Sequence, residues 1–414
     1  MPLRFLTAGE SHGKALVAIV EGLPAGLPVT AEWVDAELAR RMMGYGRGAR
    51  MKIERDRIEW LSGVRASETL GSPVAMLIAN RDWANWEDVM APEGARGEPR
   101  RRRLTRPRPG HADLSGVLKY DRTDARDILE RASARETAAR VAAGALAKRL
   151  LDEFAIEVGS HVVSLGGIMV RPPAELPVPL NPAADRSEIR VLDPKVEAEI
   201  IRRIDQAKRE GDTLGGECEV VVRGLPVGLG SHVHWDRKLD GRLAGALMSI
   251  PAVKAVEIGL GFEGARRPGS AVHDPIEPAA VPGEPAPAPA LRGGYRRRSN
   301  NAGGLEGGIT TGEPLVLRVG MKPISTLMAP LDTVDLLTGL PAKAQSERSD
   351  VTAVPALGVI AEAVTALVLA DAMLEKFGGD SLAEMRRNYA AYLEQLGRRW
   401  VALETKPGSE VEAP

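Results

Sequence analysis

A long apolar stretch near the C-terminal end, residues 351–370, constrains the fold more than any other feature of the sequence. It predicts a helix over 355–377 that is buried on most of its sides, and the two glycines that follow are expected to end it. Pro355 lies within the stretch and Glu362 interrupts it, so its longest uncharged run is shorter than the ~18 residues that a membrane span needs. We therefore predict the core helix of a globular protein.

Shorter patterns predict strands and helices mixed along the chain. Strands are expected at 15–20, 53–60, 74–79, 217–222 and 315–319. Helices are expected after a cap at Thr30 and over 124–154, 196–207, 239–250 and 381–396. Because these elements do not follow a strict βαβ order, an α+β fold or an αβ sandwich is favoured over a doubly wound sheet. At about 150 residues per domain, the length alone fits two or three domains or one large one.

Charge and cysteine content exclude several classes of protein. The 55 Lys and Arg residues nearly balance the 56 Asp and Glu residues, so no net field draws the whole chain to nucleic acid or to a membrane. A single cysteine, Cys218, rules out an internal disulfide and a multi-cysteine metal site. The first residues contain no long apolar signal segment. We therefore expect a cytoplasmic protein without nucleic-acid or membrane partners.

Three segments are predicted to be loops. Six prolines fall within 275–290, a composition that favours extended chain and suits a domain linker, a surface loop or a lid. The last residues, 405–414, form a polar tail. Four arginines at 100–103 are compatible with a nucleic-acid contact, but in a neutral protein a solvated loop is the favoured interpretation.

Two segments combine glycine and histidine in a way that suits catalysis. In GESHG, Gly9 and Gly13 allow a tight turn close to a ligand, and His12 can exchange a proton near neutral pH. Taken alone, this motif favours a surface turn with an incidental histidine. In RPRPGHAD, residues 106–113, two prolines stiffen the arginines and so reduce the entropy lost in holding an anion.

Metal binding is an alternative interpretation of the histidines. His111 with Asp113 is one candidate pair, and His232 and His234, which alternate as on a strand, are another, with Asp236 following. A metal site needs more ligands at workable spacing. An exposed strand face is therefore favoured for 232–236, and no metal is predicted.

A third cluster, Arg348-Ser349-Asp350, directly precedes the predicted core helix. The helix dipole would favour the ionised carboxylate of Asp350 there, and the alternative is a plain helix cap. Further arginines, whose forks suit carboxylate and phosphate oxygens, are Arg41, Arg47, Arg50, Arg131 and Arg135. Together these residues predict an enzyme that handles a small, multiply charged anion with histidines as acid–base candidates, and they do not name the reaction.

Seven motifs, in order along the chain, resemble those of the chorismate synthase family. The first three signatures are TAGESHGKALVAIVEGLPAG at 7–26, ERASARETAARVAAG at 130–144 and RSDVTAVPALGVIAEAV at 348–364. The other matches are GYGRGARMKIE, LTRPRPGHADL, NNAGGLEGG and MKPISTL. A joint match in family order is far more specific than a lone glycine motif.

The resemblance implies a reaction and a cofactor. The family converts 5-enolpyruvylshikimate 3-phosphate to chorismate and phosphate, the last common step of the shikimate pathway to the aromatic amino acids. This 1,4-elimination removes the 3-phosphate and a hydrogen from C6, and it requires reduced FMN without net redox change. Some members also reduce the flavin with NADPH. This chain is expected to be monofunctional.

The resemblance also implies residue roles. His12 would protonate the departing phosphate, His111 would protonate reduced flavin near N1, and Asp350 would be the base acting through flavin N5. The substrate would be bound by Ser11, Arg41, Arg47, Arg108, Arg135 and Arg348. The flavin would be contacted by Arg131, Ala132, Ser133, Pro251, Ala252, Gly307, Lys322, Pro323, Ile324, Ser325, Thr326 and Arg348. Asn301 stands where a histidine or another polar residue is common in the family, and Pro251 stands where an asparagine or glutamine is usual.

The fold implied by the resemblance is one large β-α-β sandwich over 1–404, with helices between antiparallel sheets, usually assembled as a homotetramer. The segment 275–290 then corresponds to a variable loop near the flavin. Arg41 and Arg47 are assigned to NADP in some members, and the substrate anion is favoured here. The alternatives are a phosphate- or nucleotide-binding protein without lyase activity, and a metal-dependent hydrolase using His111, Asp113 and Asp350.

Overall fold

Helices and antiparallel strands are mixed along the chain in the computed structural model, which describes residues 2–48, 55–93, 102–279, 292–346 and 350–404, with side chains up to residue 398. The helices are α1 (Ala31–Met42), α2 (Glu87–Met90), α3 (Asp113–Lys119), α4 (Arg126–Ala132), α5 (Thr137–Asp152), α6 (Leu180–Ala184), α7 (Pro194–Glu210), α8 (Leu239–Met248), α9 (Val354–Phe377) and α10 (Leu382–Glu404). The strands are β1 (Arg4–Ala8), β2 (Ala15–Glu21), β3 (Ile58–Ser62), β4 (Val64–Arg65), β5 (Glu68–Thr69), β6 (Val74–Ala79), β7 (Glu157–Leu165), β8 (Ile168–Met169), β9 (Gly216–Arg223), β10 (Val253–Ile258), β11 (Ile276–Pro278), β12 (Tyr295–Arg297), β13 (Leu305–Glu306), β14 (Ile309–Thr310), β15 (Leu315–Met321), β16 (Asp332–Val334) and β17 (Pro341–Lys343). The fold is of the α+β class, as the sequence predicts.

The longer strands pair in two antiparallel sheets, with the orders β1-β2-β6-β3 and β10-β15-β9-β7-β8. In β2, Leu16 and Ala18 are buried whereas Ile19 is exposed, the alternation of a sheet covered on one face. The predictions at 15–20, 74–79, 217–222 and 315–319 are confirmed. Strand β7 was not predicted, because it is buried along nearly its whole length and so has no polar alternation to detect.

Helix α9 is the predicted core helix, and it runs from Val354 to Phe377. It packs along α5, where a Cβ added at Gly144 would collide with Ala363. Among the described residues it is the one helix with the length and apolar composition to cross a membrane, yet 89% of its most apolar window is buried inside the protein. Its apolar character is therefore explained by packing.

The two long helices connect the two sheets. Helix α5 contacts β2 of the first sheet, and α9 contacts β7 and β9 of the second. One continuous apolar cluster includes residues of both sheets and both helices, among them Leu16, Leu146, Val220 and Leu369. Fully burying one such side chain stabilises the fold by about 1.5–3 kcal/mol.

The single helix predicted over 124–154 is wrong. Helix α4 ends at Ala132, and Ser133 has an extended ψ of 144° and accepts the backbone N–H of Arg135 with its hydroxyl. A short 3₁₀ turn, Ala134–Glu136, follows before α5 begins at Thr137. Serine hydroxyls compete for backbone groups in this way and so cap helices rather than continue them. The break places Ser133 where it contacts a distant loop.

Glu362, which interrupts the apolar stretch, lies fully buried in α9. Its carboxylate accepts hydrogen bonds from Arg40 of α1 at 2.9 and 3.0 Å, from Lys148 of α5 at 2.9 Å and from Arg190 at 3.1 Å. Burial alone would raise the pKa of Glu362, but these three cations hold it well below its ordinary value. Charges at this depth are tolerated only when they are paired.

Several loop predictions are corrected in part. Ile276–Pro278 forms β11, paired with β12, and residues 280–291 lie outside the described residues. Residues 232–234 form a bend rather than a strand, because Asp236 accepts a hydrogen bond from His234 Nδ1 at 2.8 Å and a 3₁₀ turn follows. In the arginine run 100–103, the first two positions are not described, and Arg102 stacks on Trp86 at 4.5 Å. The polar tail 405–414 is likewise not described.

Candidate active site

The loop between β1 and β2 holds His12 in a defined position. Its Nδ1 lies 3.0 and 2.9 Å from the two carboxylate oxygens of Glu130, and its backbone N–H donates to Glu130 Oε2 at 2.8 Å. Its ring stacks on Trp86 with centroids 3.9 Å apart. The histidine is therefore not incidental to a surface turn, the interpretation that its motif alone favoured.

Ser11 and Ser133 meet beside His12. The Ser133 hydroxyl donates to Ser11 Oγ at 3.2 Å, and the backbone N–H of Ser11 donates to the carbonyl of Glu130 at 2.9 Å. Ser11 is buried and Ser133 is half-buried. The first and second sequence motifs, more than a hundred residues apart, thus form one surface.

His111 belongs to a second cluster, built on the N-terminal end of α3. Its Nδ1 lies 2.5 Å from Asp113 Oδ1, and Arg108 Nε donates to Asp113 Oδ2 at 2.8 Å. Arg108 Nη2 lies 3.0 Å from His111 Nδ1, and Nη1 donates to Thr326 Oγ1 at 2.8 Å. Burial would raise the pKa of Asp113, but the bonds from His111 and Arg108 hold it well below its ordinary value.

Arg41 and Arg135 share a buried carboxylate. Arg135 Nη1 donates to both oxygens of Asp56 at 2.6 and 2.7 Å, and Arg41 Nη1 lies 3.6 Å from Asp56 Oδ2. Arg41 also donates from Nε to the hydroxyl of Thr137 at 2.9 Å. Burial, together with the positive charges of Arg47 and Arg135, lowers the pKa of Arg41 despite the attraction of Asp56. The cluster is therefore a place where a further negative charge would be stabilising.

Asp350 contacts the glycine-rich loop rather than the end of the core helix. Its Oδ1 accepts the backbone N–H of Gly48 at 2.6 Å, and its Oδ2 lies 2.9 Å from Arg47 Nε. Helix α9 begins at Val354 after Ala353, which makes no side-chain cap. Both the cap interpretation and the dipole interpretation of Asp350 are thus replaced by an ion pair. Arg348 lies outside the described residues.

The segment 322–326 joins the second cluster to the turn before β10. The backbone N–H of Lys322 donates to the carbonyl of Ala252 at 3.0 Å, and its Nζ donates to the carbonyl of Gly110. Ala252, next to Pro251, has a φ of +68°, which an L-residue adopts only at a cost. The carbonyl of Ile324 accepts the hydroxyl of Thr213 at 2.7 Å. Pro323, which is exposed, and Ser325, which is half-buried, complete the segment.

Other candidates for cofactor contact are placed differently. The side chain of Arg131 donates to the carbonyls of Thr7 at 2.7 Å and Gly9 at 3.2 Å, so it ties α4 to the β1–β2 loop. Ala132 is half-buried beside it. Gly307 is exposed at the tip of the β13–β14 hairpin, where its neighbour Gly308 packs on Lys238. No hydrogen bond between described residues joins this hairpin to the other candidates.

Three connections bring the clusters into one region. Asn80 donates to the carbonyls of Glu10 at 3.1 Å and Gly13 at 2.7 Å, and it accepts Arg135 Nε at 3.0 Å. Helices α3 and α4 pack together. A cavity of about 540 Å³ has Arg47, Lys208, Thr213, Thr326 and Asp350 in its wall.

Four residues of this region are not predicted from the sequence. Asp56 and Asn80 pair with candidate arginines, and Glu130 and Trp86 hold His12. Glu130 is the first residue of the second motif, and this position is the only indication in the sequence that it belongs to the site. The others fall in strand ends and loops, where one sequence carries no sign of a distant partner.

The donors present fit the flavin that the resemblance implies. An ammonium from Lys322, a guanidinium from Arg108 and the hydroxyls of Ser325 and Thr326 lie on adjoining segments. A Cβ at Gly110 would lie 3.2 Å from Lys322 Nζ, so a side chain there would press on this ammonium. Cationic and hydroxyl donors of this kind suit a phosphate and the carbonyl oxygens of a ring.

Comparison with known proteins finds relatives that match nearly the whole chain. The profile of a family described as chorismate synthase matches residues 3–374. The chain is 58% identical over 402 residues to a chorismate synthase of Symbiobacterium thermophilum, covering 96% of this chain and all of that one. It is 57% identical over 397 residues to one of Geobacter sulfurreducens, covering 95% and 99%. A crystal structure of a chorismate synthase, 44% identical, superposes with a TM-score of 0.75 over 96% of this chain and 99% of that one.

Proposed function

The chain belongs to the chorismate synthase family, and on this premise we propose that it works with the site residues described above and with reduced FMN. It is a carbon–oxygen lyase that converts 5-enolpyruvylshikimate 3-phosphate to chorismate and phosphate in aromatic amino-acid biosynthesis. The observation that carries the site assignment is the contact between distant motifs, His12 with Glu130 and Asp350 with Gly48.

The arginines bind the substrate anion. The substrate has one phosphate and two carboxylates. Burial lowers the pKa of Arg41, and repulsion from the nearby Arg47 and Arg135 lowers it further. A bound anion relieves that repulsion, and planar guanidinium groups match its oxygens bidentately. Arg108 and Arg348 belong to the same set, the latter outside the described residues.

His12 is the general acid for the leaving phosphate. As the bond between C3 and the phosphate oxygen breaks, the electron pair stays on that oxygen and His12 supplies a proton to it. Ser11, held by Ser133, lies beside His12 and donates a hydrogen bond to the substrate. Stabilising the leaving group in this way lowers the barrier of the step in which charge develops.

Reduced FMN would be held by the segments 131–133, 251–252 and 322–326 and by Gly307. When bound, it would supply transient electron density and accept hydrogen in an elimination that has no net redox change. His111 is the proton donor on the cofactor side, and Asp113 and Arg108 orient its ring. Lys322 provides positive charge on the same side.

Asp350 is the base that takes up the proton lost from the C6 side of the substrate. Its contacts with the Gly48 N–H and with Arg47 hold the carboxylate in one position. A fixed carboxylate at the wall of the cavity suits that task.

Arg41 and Arg47 serve the substrate rather than NADPH, and the enzyme is monofunctional. Arg41 is only 3% exposed and is held by Thr137 and the carbonyl of Ala134. A buried guanidinium group of this kind contacts a small anion inside the protein more readily than it contacts an extended dinucleotide.

The assembly is a homotetramer of single-domain chains, each a β-α-β sandwich spanning 1–404. Leu6 and Ile19 are register partners on the first sheet and are 68% and 38% exposed. Burying such a pair against another copy removes apolar area from water. Sedimentation should give one species near four times the chain mass.

The location is cytoplasmic, in keeping with a single, buried, free cysteine.

An anaerobic assay tests the proposal. The protein is mixed with chemically reduced FMN and substrate, and chorismate is followed by absorbance. A second mixture replaces the chemical reductant with NADPH and oxidised FMN. Product in the first mixture alone is the expected result. Product in both would mean a built-in flavin reductase, and product in neither, from folded protein that binds flavin, would leave a binding protein without lyase activity.

A further inference from the structure

Glu130 is a buried carboxylate that the roles given above do not use. Its side chain is only 1% exposed, yet it lies on α4 with both oxygens on the Nδ1 side of His12. It also accepts the backbone N–H of His12 and a 2.8 Å hydrogen bond from Arg126, one helical turn earlier. A carboxylate is buried at a large cost unless it is paired and hydrogen-bonded. These contacts show that the buried carboxylate of Glu130 is paired with His12 and Arg126.

The pair determines which ring nitrogen exchanges protons. An ionised carboxylate only accepts hydrogen bonds, so Nδ1 of His12 carries the hydrogen in this contact. Proton exchange with any other group is then left to Nε2, at the opposite edge of the ring. A histidine oriented through one nitrogen acts as an acid through the other.

Trp86 determines the plane of the same ring. The two rings stack 3.9 Å apart with 25° between their planes. The guanidinium groups of Arg102 and Arg126 lie 4.5 and 4.9 Å from the Trp86 ring, and its Nε1 donates to Asp82 at 2.9 Å. His12 is thus restrained in the ring plane by Glu130 and out of the plane by Trp86.

The surrounding charges favour an ionised Glu130. Burial alone would raise the pKa of Glu130, but the hydrogen bonds and charge of His12, together with Arg126, lower it. Arg102 and Asp82 contact Trp86, which stacks on His12, and Glu10 lies in the His12 loop beside Gly13. The ionised carboxylate attracts positive charge on the His12 ring.

We propose that Glu130 is a positioning residue for the known reaction, holding His12 by Nδ1 so that its Nε2 delivers the proton to the leaving phosphate. This inference rests on the general-acid role proposed for His12. The proton moves from Nε2 to the phosphate oxygen as the C–O bond breaks, and Glu130 neither gains nor loses a proton.

The test is the pH profile of kcat in Glu130→Gln and Glu130→Asp, measured with reduced FMN and substrate. Glutamine keeps an acceptor for the backbone N–H but removes the charge. We expect kcat to fall by about 10- to 100-fold, its alkaline limb to move to lower pH, and KM to change by less than about twofold. Aspartate keeps the charge, but its shorter side chain leaves the carboxylate farther from His12. Glu130→Asp should therefore give a smaller loss of kcat and a smaller shift of the alkaline limb in the same direction.

Glu219→Gln is the matched control. Glu219 pairs with the buried His161, Oε1 to Nε2 at 3.2 Å, on the second sheet, and it also contacts Arg318. The substitution removes the charge of a histidine-paired glutamate outside the proposed site. Its kcat and pH profile should match those of the unmodified enzyme.

Further outcomes separate this inference from the proposed function. Full turnover in His12→Gln would show that His12 is not the acid, which contradicts the proposed mechanism. An impaired His12→Gln beside a Glu130→Gln with unchanged kcat and pH profile would overturn the positioning role alone. A loss that is uniform across pH in both Glu130 variants would mean a structural role and would also overturn it. If Glu130→Gln does not fold, the same criterion applied to Glu130→Asp decides the question.

Discussion

Asp350 accepts the backbone N–H of Gly48 at 2.6 Å, although 302 residues separate the two in the sequence. The contact fastens the glycine-rich loop to the segment that enters the core helix α9. It is made by the same carboxylate that pairs with Arg47 at 2.9 Å. The position of the proposed base therefore depends on both segments.

Replacing this carboxylate should slow the removal of hydrogen from C6. Asp350→Asn keeps an acceptor for Gly48 but loses the basic carboxylate, and we expect kcat to fall about 100-fold or more. A substrate deuterated at C6 should then show a larger kinetic isotope effect than with the unmodified enzyme. Asp236→Asn, at an exposed aspartate, is the control and should be fully active. An unchanged rate in Asp350→Asn would exclude Asp350 as the base.

His111 and His234 provide a matched pair of histidines. Each contacts an aspartate two residues further on through Nδ1, but His111 is largely buried and His234 is exposed. We expect His111→Ala to lower kcat by about 100-fold or more without unfolding the protein, and His234→Ala to leave kcat unchanged. Steady-state turnover with circular dichroism measures both effects. Equal activity of the two variants would remove His111 from the mechanism.

Asp113 should make stability depend on pH in the acid range. Its folded-state pKa lies below its unfolded value of about 3.9, so its contribution is present above that pH and is lost as the pH falls further. Asp113→Asn should therefore be less stable than the unmodified protein at pH 7, and the difference should narrow below about pH 4. Urea unfolding midpoints across this range test the sign, and a constant difference would contradict it.

Glu362 should be important for stability rather than for chemistry. Glu362→Gln leaves Arg40, Lys148 and Arg190 buried without their shared carboxylate, and we expect a loss of about 3–5 kcal/mol in the free energy of unfolding. Glu263→Gln, which breaks an exposed pair with Arg267, should have no measurable effect. Denaturant titration compares the two. A small loss for Glu362→Gln would mean that the three cations find other partners.

Replacing either of two helix glycines by alanine should change the stability of the protein, in opposite directions at the two positions. Gly144→Ala places a methyl group against Ala363 at the α5–α9 contact, and overpacking there should cost about 1–3 kcal/mol. Gly245→Ala in α8 meets nothing within 4 Å, so the better helix propensity of alanine should stabilise the protein by about 0.5–1 kcal/mol. Thermal unfolding measures both. A destabilised Gly245→Ala would count against the open space around that position.

The α+β class, the core helix over 355–377 and the membership in one family are predictable from sequence alone. These properties follow from local patterns. Helical and strand periodicity indicates which face of an element is buried, and a motif is recognised from its own residues wherever it lies in the fold. The start of α1 after Thr30 belongs to the same group, because the cap is a contact between near neighbours.

Which distant residues meet is visible only in the folded protein. The pairing of Arg135 with Asp56, and of His12 with Glu130, joins residues 79 and 118 positions apart, and no periodicity encodes such a partner. The break at Ser133 was missed for a related reason, since the alanine-rich pattern on both sides favours helix and the bond that ends it is made by one hydroxyl. Local propensity is a sum over near neighbours, whereas the burial and charge of a site depend on how distant elements pack against each other.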